Sequence, residues 1–299
     1  MDTKTYGALI VCVLIWGTNW PLVKIALADC PPYTFLAFRT FGAAVALGVA
    51  IKLSSDKRLL PALNERRDLA LVGLFTIFGA LTCSTVGLAL TQVGRAMLLM
   101  YTMQLWAVPL GIWLLGERIT RLKILGSTIG FAGVMLFFNP YAMNWHNNNA
   151  VIGSIVLLCS AISWALGACL YRKRTWTSGS LQQLLWQLIV CIPPTLIFAS
   201  IDIKQFHSTS TVWWVLSYNW IAATVLAYWA WNKALSRVSA TIAGQFLMFA
   251  PLLGFIWSIY LFDEHWSTSA YWAAILIVAG VVLALSDAHR NPSLLEKKI

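Results

Sequence analysis

Acidic side chains are scarce in this chain: eleven Asp and Glu stand among 299 residues, against twenty-one Lys and Arg. None of the acids falls in the middle of an apolar segment, since Glu117, Asp263 and Glu264 lie at segment ends. The four histidines, His146, His207, His265 and His289, lie in connections or in the tail. Proton relays inside apolar surroundings run on buried carboxylates and histidines, so a simple carboxylate-based proton antiport is disfavoured and passive exchange or facilitated diffusion fits at least as well. Also missing are a Gly-rich phosphate loop with Lys-Ser/Thr, a helical His pair and any Cys-x-x-Cys. That excludes the usual signatures of ATP hydrolysis, a metal centre or a bound cofactor, and the chain does not read as an enzyme. Six cysteines lie mostly within apolar segments and only Cys30 approaches the oxidising side, so no disulfide framework is implied.

What the chain has in abundance is apolar surface. It is 59% hydrophobic and 11% charged, with sixteen tryptophans, and a soluble domain of this length cannot hide so much of it. Apolar segments of about twenty residues suffice to cross the hydrocarbon. Ten are expected: 6–28, 34–52, 69–93, 95–116, 122–139, 151–171, 181–200, 212–235, 240–262 and 269–286. The chain is also duplicated. Glu117, Thr120, Ala132-Gly133-Val134 and Leu136 fall on Glu264, Ser267, Ala279-Gly280-Val281 and Leu283, all at a shift of 147. Trp16-Gly17 and Lys24 fall on Trp164-Ala165 and Arg172 at a shift of 148. Two copies, 1–147 and 148–299, each carry five spans.

Five is odd, so the second copy enters the membrane upside down. With both termini in the cytoplasm, seventeen of the twenty-one basic residues fall on the inner side and the outer connections hold only Lys204. This is the positive-inside pattern of a multi-pass inner-membrane protein. The expected fold is therefore all-α, ten transmembrane helices as two inverted five-helix repeats. The net charge of +10 has the same origin and implies no nucleic-acid partner; the partners expected are the lipid bilayer and a small-molecule substrate, with the chain a monomer or homodimer.

Trp16-Gly17-Thr18-Asn19-Trp20-Pro21 with Lys24 is the most polar stretch in any span. Pro21 has no N–H for the carbonyl of Gly17, which predicts a kinked or opened helix, and an open backbone in lipid must face protein or a cavity. Gly17, Asn19 and Lys24 then line an interior path; the alternative is a packing kink with Lys24 snorkelling outward. Arg39 either marks the same route or pairs with Asp29 or a carbonyl and fixes its helix. In the fourth span Tyr101 and Gln104 give one polar face, with Arg95 near its start. Helix eight carries Tyr228 and Trp229, and the ninth Gln245. The third and fifth spans are rich in small residues and suit close packing or dimerisation. Of the tryptophans, Trp145, Trp213, Trp214, Trp266, Trp272 and Trp176 fit interfacial belts, while Trp16, Trp20, Trp106, Trp164, Trp186 and Trp257 fall nearer mid-span. If some of these face the path, it suits aromatic or amphipathic solutes.

The ten-helix duplicated layout resembles the drug/metabolite transporter (DMT) superfamily, in particular its EamA-type permeases. Trp16-Gly17-Thr18-Asn19-Trp20 with Lys24, Leu115-Gly116-Glu117-Arg118-Ile119-Thr120, and Pro251 with Asp263-Glu264 carry that resemblance over residues 6–286. Gln104 stands where the family usually has proline, and Asp263 where it usually has glycine. The resemblance implies inverted halves around a central cavity and export of amino acids, their derivatives or other small metabolites or drugs. The substrate-binding set expected here is Trp16, Asn19, Trp20, Lys24, Arg95, Tyr101, Gln104, Trp164, Tyr228, Trp229 and Gln245, with Lys24 or Arg95 attracting a carboxylate and the aromatics an apolar side chain. Competing expectations are exchange or import of purines, organic anions or drugs, and a non-transport role such as a lipid scramblase.

Overall fold

The computed structural model describes residues 3–54, 58–116, 120–137, 148–235, 249–263 and 267–290, and all regular structure among them is helical. The helices are α1 (Thr3–Ala26) and α2 (Pro32–Leu53), α3 (Leu63–Leu90) and α4 (Val93–Leu115), then α5 (Arg121–Phe137), α6 (Asn148–Arg172) and α7 (Ser180–Asp202). They continue with α8 (210–235), α9 (Phe249–Phe262) and α10 (Thr268–Arg290). Among the described residues six, α1, α2, α3, α4, α6 and α7, are long and apolar enough to cross a membrane, and shorter apolar stretches lie in α5 and α10.

The packing obeys one exchange rule. Helix α1 packs on α8 and α9, and α6 packs on α3 and α4; α3 touches α7 where α8 touches α2; α2 pairs with α7 and α5 with α10. Adding five to each of these labels reproduces the same pairs. The α5–α10 pair shows the rule at atomic scale. A Cβ on Gly133 would stand 2.8 Å from the Ile277 nitrogen and 2.9 Å from the Ala273 oxygen, and one on Gly280 2.4 Å from the Gly130 nitrogen and 2.5 Å from the Gly126 oxygen. The small residues of α5 thus bring two backbones together within the chain, as small residues do between apolar helices.

Two wide, π-type turns interrupt α3 and α8 at related places, Leu74–Gly79 and Asn219–Leu226. Such a turn displaces backbone carbonyls from the ordinary ladder, and in apolar surroundings they need other donors. Helices α1 and α6 send donors to carbonyls in and just after these turns. Cys12 Sγ donates to the Ala227 oxygen at 3.3 Å and Trp16 Nε1 to the Ala223 oxygen at 3.0 Å. From α6, Ser160 Oγ donates to the Ala80 oxygen at 2.6 Å and Ser163 Oγ to the Phe75 oxygen at 2.8 Å.

Both ends of the α2–α7 pair are tied by a carboxylate, and the one at the start of α2 lies where free N–H groups and the helix dipole favour an anion. Asp202, at the end of α7, accepts the N–H groups of Tyr33 and Thr34 at 2.9 and 3.0 Å and the Thr34 hydroxyl at 2.7 Å. At the other end Glu65 accepts the Thr177 N–H at 2.6 Å, its hydroxyl at 2.7 Å and the Ser178 N–H at 3.3 Å, just before α7 begins. Arg174 pairs with Asp68 at that same end.

Helix α1 continues through Pro21 without interruption, so the opening expected there is absent. Gly17 serves a close approach instead: a Cβ on it would lie 3.1 Å from Leu253 Cβ and 3.2 Å from the Ala250 oxygen of α9. Helix α4 ends on Gly116 with φ +63°, and α9 ends on Asp263 with φ +49°. The departure from glycine noted at Asp263 therefore falls on a left-handed position, which Asp tolerates better than most residues.

Candidate functional site

The candidate site is built on the seam between α1 and α8. These helices are antiparallel, because Cys12 meets Ala227 and Trp16 meets Ala223. Holding its indole N–H on the Ala223 carbonyl fixes the Trp16 ring, and Tyr228 meets that ring edge-on at a centroid distance of 5.4 Å. Trp231 lies 5.8 Å from it. Tyr218 closes the seam further along by donating its hydroxyl to the Ile15 oxygen at 2.8 Å.

One stripe of α1 runs through Cys12, Trp16, Asn19 and Val23, at the three- and four-residue spacing of a helix face. Val23 shares a buried cluster with Val212, Val215 and Leu216 of α8. Asn19 is 8% exposed, and its Oδ1 is sealed without a partner. On the α8 side Asn219 is fully buried; it donates from Nδ2 to the Val215 oxygen at 2.9 Å and likewise leaves Oδ1 unpartnered. In the antiparallel register 12:227 and 16:223, residue 219 falls opposite residues 19 and 20. Two amide acceptors thus share one level of the seam, each costing about 1–3 kcal/mol while it lacks a donor.

Lys24 lies one turn beyond. Its ammonium donates to the oxygens of Leu88 at 2.7 Å, Ala89 at 3.2 Å and Thr91 at 2.7 Å. An ammonium has three donors, and in this conformation these carbonyls at the end of α3 take them, the place where a helix favours a cation. Trp20 and Tyr101 border the same core cluster, around Val23, Met97 and Leu216. Gln104 and Arg95 are half-buried on α4, and Trp164 is half-buried on α6. Trp229 is 49% exposed on the outer flank of α8. Gln245 lies outside the described residues.

The structure therefore brings Trp16 and Tyr228 into contact, sets Asn19 on their stripe, and places Trp20 with Tyr101 on one neighbouring cluster. It directs Lys24 to α3 and Trp229 to the surface. Three residues were missed in selecting candidates from sequence. Asn219 gave no signal, because an Asn in an apolar helix reveals nothing about the neighbour it faces, whereas Trp231 stands in the same aromatic stretch of helix eight as Tyr228 and Trp229. Arg39 did give one, as the charge in the body of its span, but its sequence left open a pairing with Asp29. In the structure Asp29 accepts the Thr209 hydroxyl at 3.0 Å, and Tyr228 packs against the cluster that Ala43, Ala44 and Leu47 form one to two turns along α2 from Arg39.

The EamA-like transporter family model matches twice, over residues 3–139 and 151–286. The chain is 24% identical over 282 residues to an uncharacterized transporter, YoaV, of Bacillus subtilis (strain 168), covering 94% of this chain and 96% of that one. It is 24% identical over 294 residues to a protein of Escherichia coli (strain K12) named a probable amino-acid metabolite efflux pump, with 95% of each covered. A solved crystal structure matches with a TM-score of 0.60 at 20% identity, over 99% of this chain and all of that one; that likeness concerns the fold alone.

Proposed function

The chain belongs to the EamA-like transporter family, and on that premise we propose that it is a secondary transporter of the inner membrane that exports small metabolites, amino acids with aromatic or amphipathic side chains among them. The observation that carries this reading is the aromatic seam where Trp16, held on Ala223, meets Tyr228 beside the wide turn of α8. The name of the Escherichia coli relative points to the same solute class.

The mechanism is alternating access between two inverted five-helix repeats, 1–147 and 148–299, ten membrane-crossing helices in all. It is supported by the exchange rule in the packing: α1 touches α8 and α9 as α6 touches α3 and α4. Inverted repeats provide two packings of nearly equal energy, one open to each side, by rocking around a midplane site. In this reading Trp16, Trp20, Tyr101, Trp164 and Tyr228 contact the apolar part of the solute, with Asn19, Gln104 and Gln245 hydrogen-bonding to it. Lys24 and Arg95 steer it, Lys24 when released from the end of α3. Trp229 would join only in a conformation that turns α8. Both termini are cytoplasmic, consistent with Arg58, Arg66, Arg67, Arg172, Lys173 and Arg174 gathering at the Glu65 end.

The test is efflux from cells that accumulate an amino acid by hydrolysing a supplied dipeptide. Cells producing the protein should lose the freed amino acid to the medium several-fold faster than cells without it. Equal rates for every dipeptide tried would reject amino-acid export and turn attention to purines, organic anions and drugs.

A further inference from the structure

Arg39 sits in the body of α2, seven residues after the helix begins at Pro32. A charged side chain at such depth is costly and normally finds a counter-charge, a carbonyl or a water-filled space. Lys24 found three carbonyls. Arg39 found none: among the described residues its guanidinium makes no hydrogen bond and no ion pair. Nor is it sealed. The side chain is half-buried, and none of its nitrogens is among the enclosed unpartnered atoms, unlike Asn19 Oδ1 or Trp106 Nε1. A guanidinium presents five donors in a planar fork suited to two oxygens at once, and here that fork is unspent. Tyr228 packs against the cluster that Ala43, Ala44 and Leu47 form one to two turns further along α2 and carries the edge contact to Trp16, so aromatic surface lies along the helix that bears the charge.

We propose that Arg39 is the anion-binding group of the transport site, taking a carboxylate in bidentate fashion, with the Tyr228 hydroxyl as the positioning group beside it and the Trp16 and Trp231 rings receiving the apolar remainder. This rests on the export reading above and names the part of the solute that the protein recognises. One guanidinium with no second cation beside it among the described residues suits a monocarboxylate rather than a diphosphate. The site also gives α2 a function in addition to its structural pairing with α7.

The test uses purified protein in proteoliposomes, with a labelled aromatic amino acid as the transported probe. Competitors are the unlabelled amino acid, its carboxamide and amino alcohol, which lack the carboxylate, and its des-amino acid, which keeps it. The variants are Arg39→Gln and Arg39→Lys, with Tyr228→Phe as the variant of unchanged shape. A lost charge-assisted pair corresponds to about 10- to 100-fold in affinity. Wild type should favour carboxylate-bearing competitors by at least about tenfold. Arg39→Gln should abolish that preference, Arg39→Lys should keep part of it, and Tyr228→Phe should weaken it a few-fold. Amino-acid transport in which Arg39→Gln retains the full preference overturns the anion site and leaves the export reading standing. If Arg39→Gln does not give a monodisperse protein, an unaltered preference in Tyr228→Phe and Arg39→Lys overturns it equally. Transport of non-amino organic anions that depends on Arg39 supports the site and rejects the amino-acid reading; transport confined to neutral or cationic solutes rejects both.

Discussion

Replacing Gly280 by alanine should open the α5–α10 pair. The added methyl would stand 2.4 Å from the Gly130 nitrogen and 2.5 Å from both the Gly126 oxygen and the Gly130 Cα. All three are backbone atoms, so no side chain can rotate away. Relief requires the two helices to part until these contacts exceed about 3.4 Å, the start of ordinary van der Waals separation. The Gly133 contacts with Ile277 and Ala273, on the same interface, would loosen with them. Overpacking of this kind costs about 3 kcal/mol when nothing flexible can yield, partly offset by about 1 kcal/mol of improved helix propensity. The net, about 2 kcal/mol, translates into a melting temperature lower by about 3 °C for a chain of this length. The assay is thermal unfolding of detergent-purified protein followed by tryptophan fluorescence. Gly48→Ala is the control, because a Cβ there meets nothing within 4 Å, and it should melt at or slightly above the wild-type temperature. A Gly280→Ala protein that melts within about 1 °C of wild type would refute the close backbone contact.

Other perturbations separate the structural ties from the transport groups. Lys24→Met removes the cation from the end of α3 and should lower stability by about 2 kcal/mol; unchanged melting alongside lost transport would show that Lys24 acts on the solute instead. Asp202→Ala strips the start of α2 of an acceptor for two N–H groups and a hydroxyl and should cost about 1–2 kcal/mol in the same assay, whereas no change would remove the carboxylate tie from the account. Gly116→Ala places a side chain at φ +63° and should cost about 1 kcal/mol, while Asp263→Gly, at the matching end of α9, should be neutral or stabilising. The reverse order of these two would contradict the left-handed geometry at both helix ends.

Much of the scaffold was legible because the bilayer imposes a length on apolar segments, and the observed helices fall on the expected spans wherever residues are described. Glu117 and Glu264, Gly133 and Gly280 suggested a duplication, and the family model matches at 3–139 and again at 151–286. Which face of each helix meets which neighbour was not legible. Lipid and protein interior are both apolar, so Leu and Ile carry no directional pattern, and the usual polar stripe of a soluble helix is missing. For that reason Lys24 read as a path residue although its donors turn to α3, and Trp229 read like Tyr228 although they occupy different flanks of α8. The wide turns in α3 and α8 left no mark in composition either. They show only in the donors aimed at them, Trp16 and Ser163. Gly17 is the instructive misreading: a glycine four residues before a proline suggested an opened helix, and the contact with Leu253 shows that it admits α9.

Counterflow tests the central claim most directly. Proteoliposomes are loaded with an unlabelled amino acid, diluted into a trace of the labelled one, and followed for transient accumulation. The account predicts an overshoot for amino acids with aromatic or amphipathic side chains, absent from protein-free vesicles and sharply reduced when Trp16 or Tyr228 is replaced by alanine. No overshoot for any amino acid, purine, organic anion or drug, in vesicles where the protein retains its wild-type melting behaviour, would contradict it.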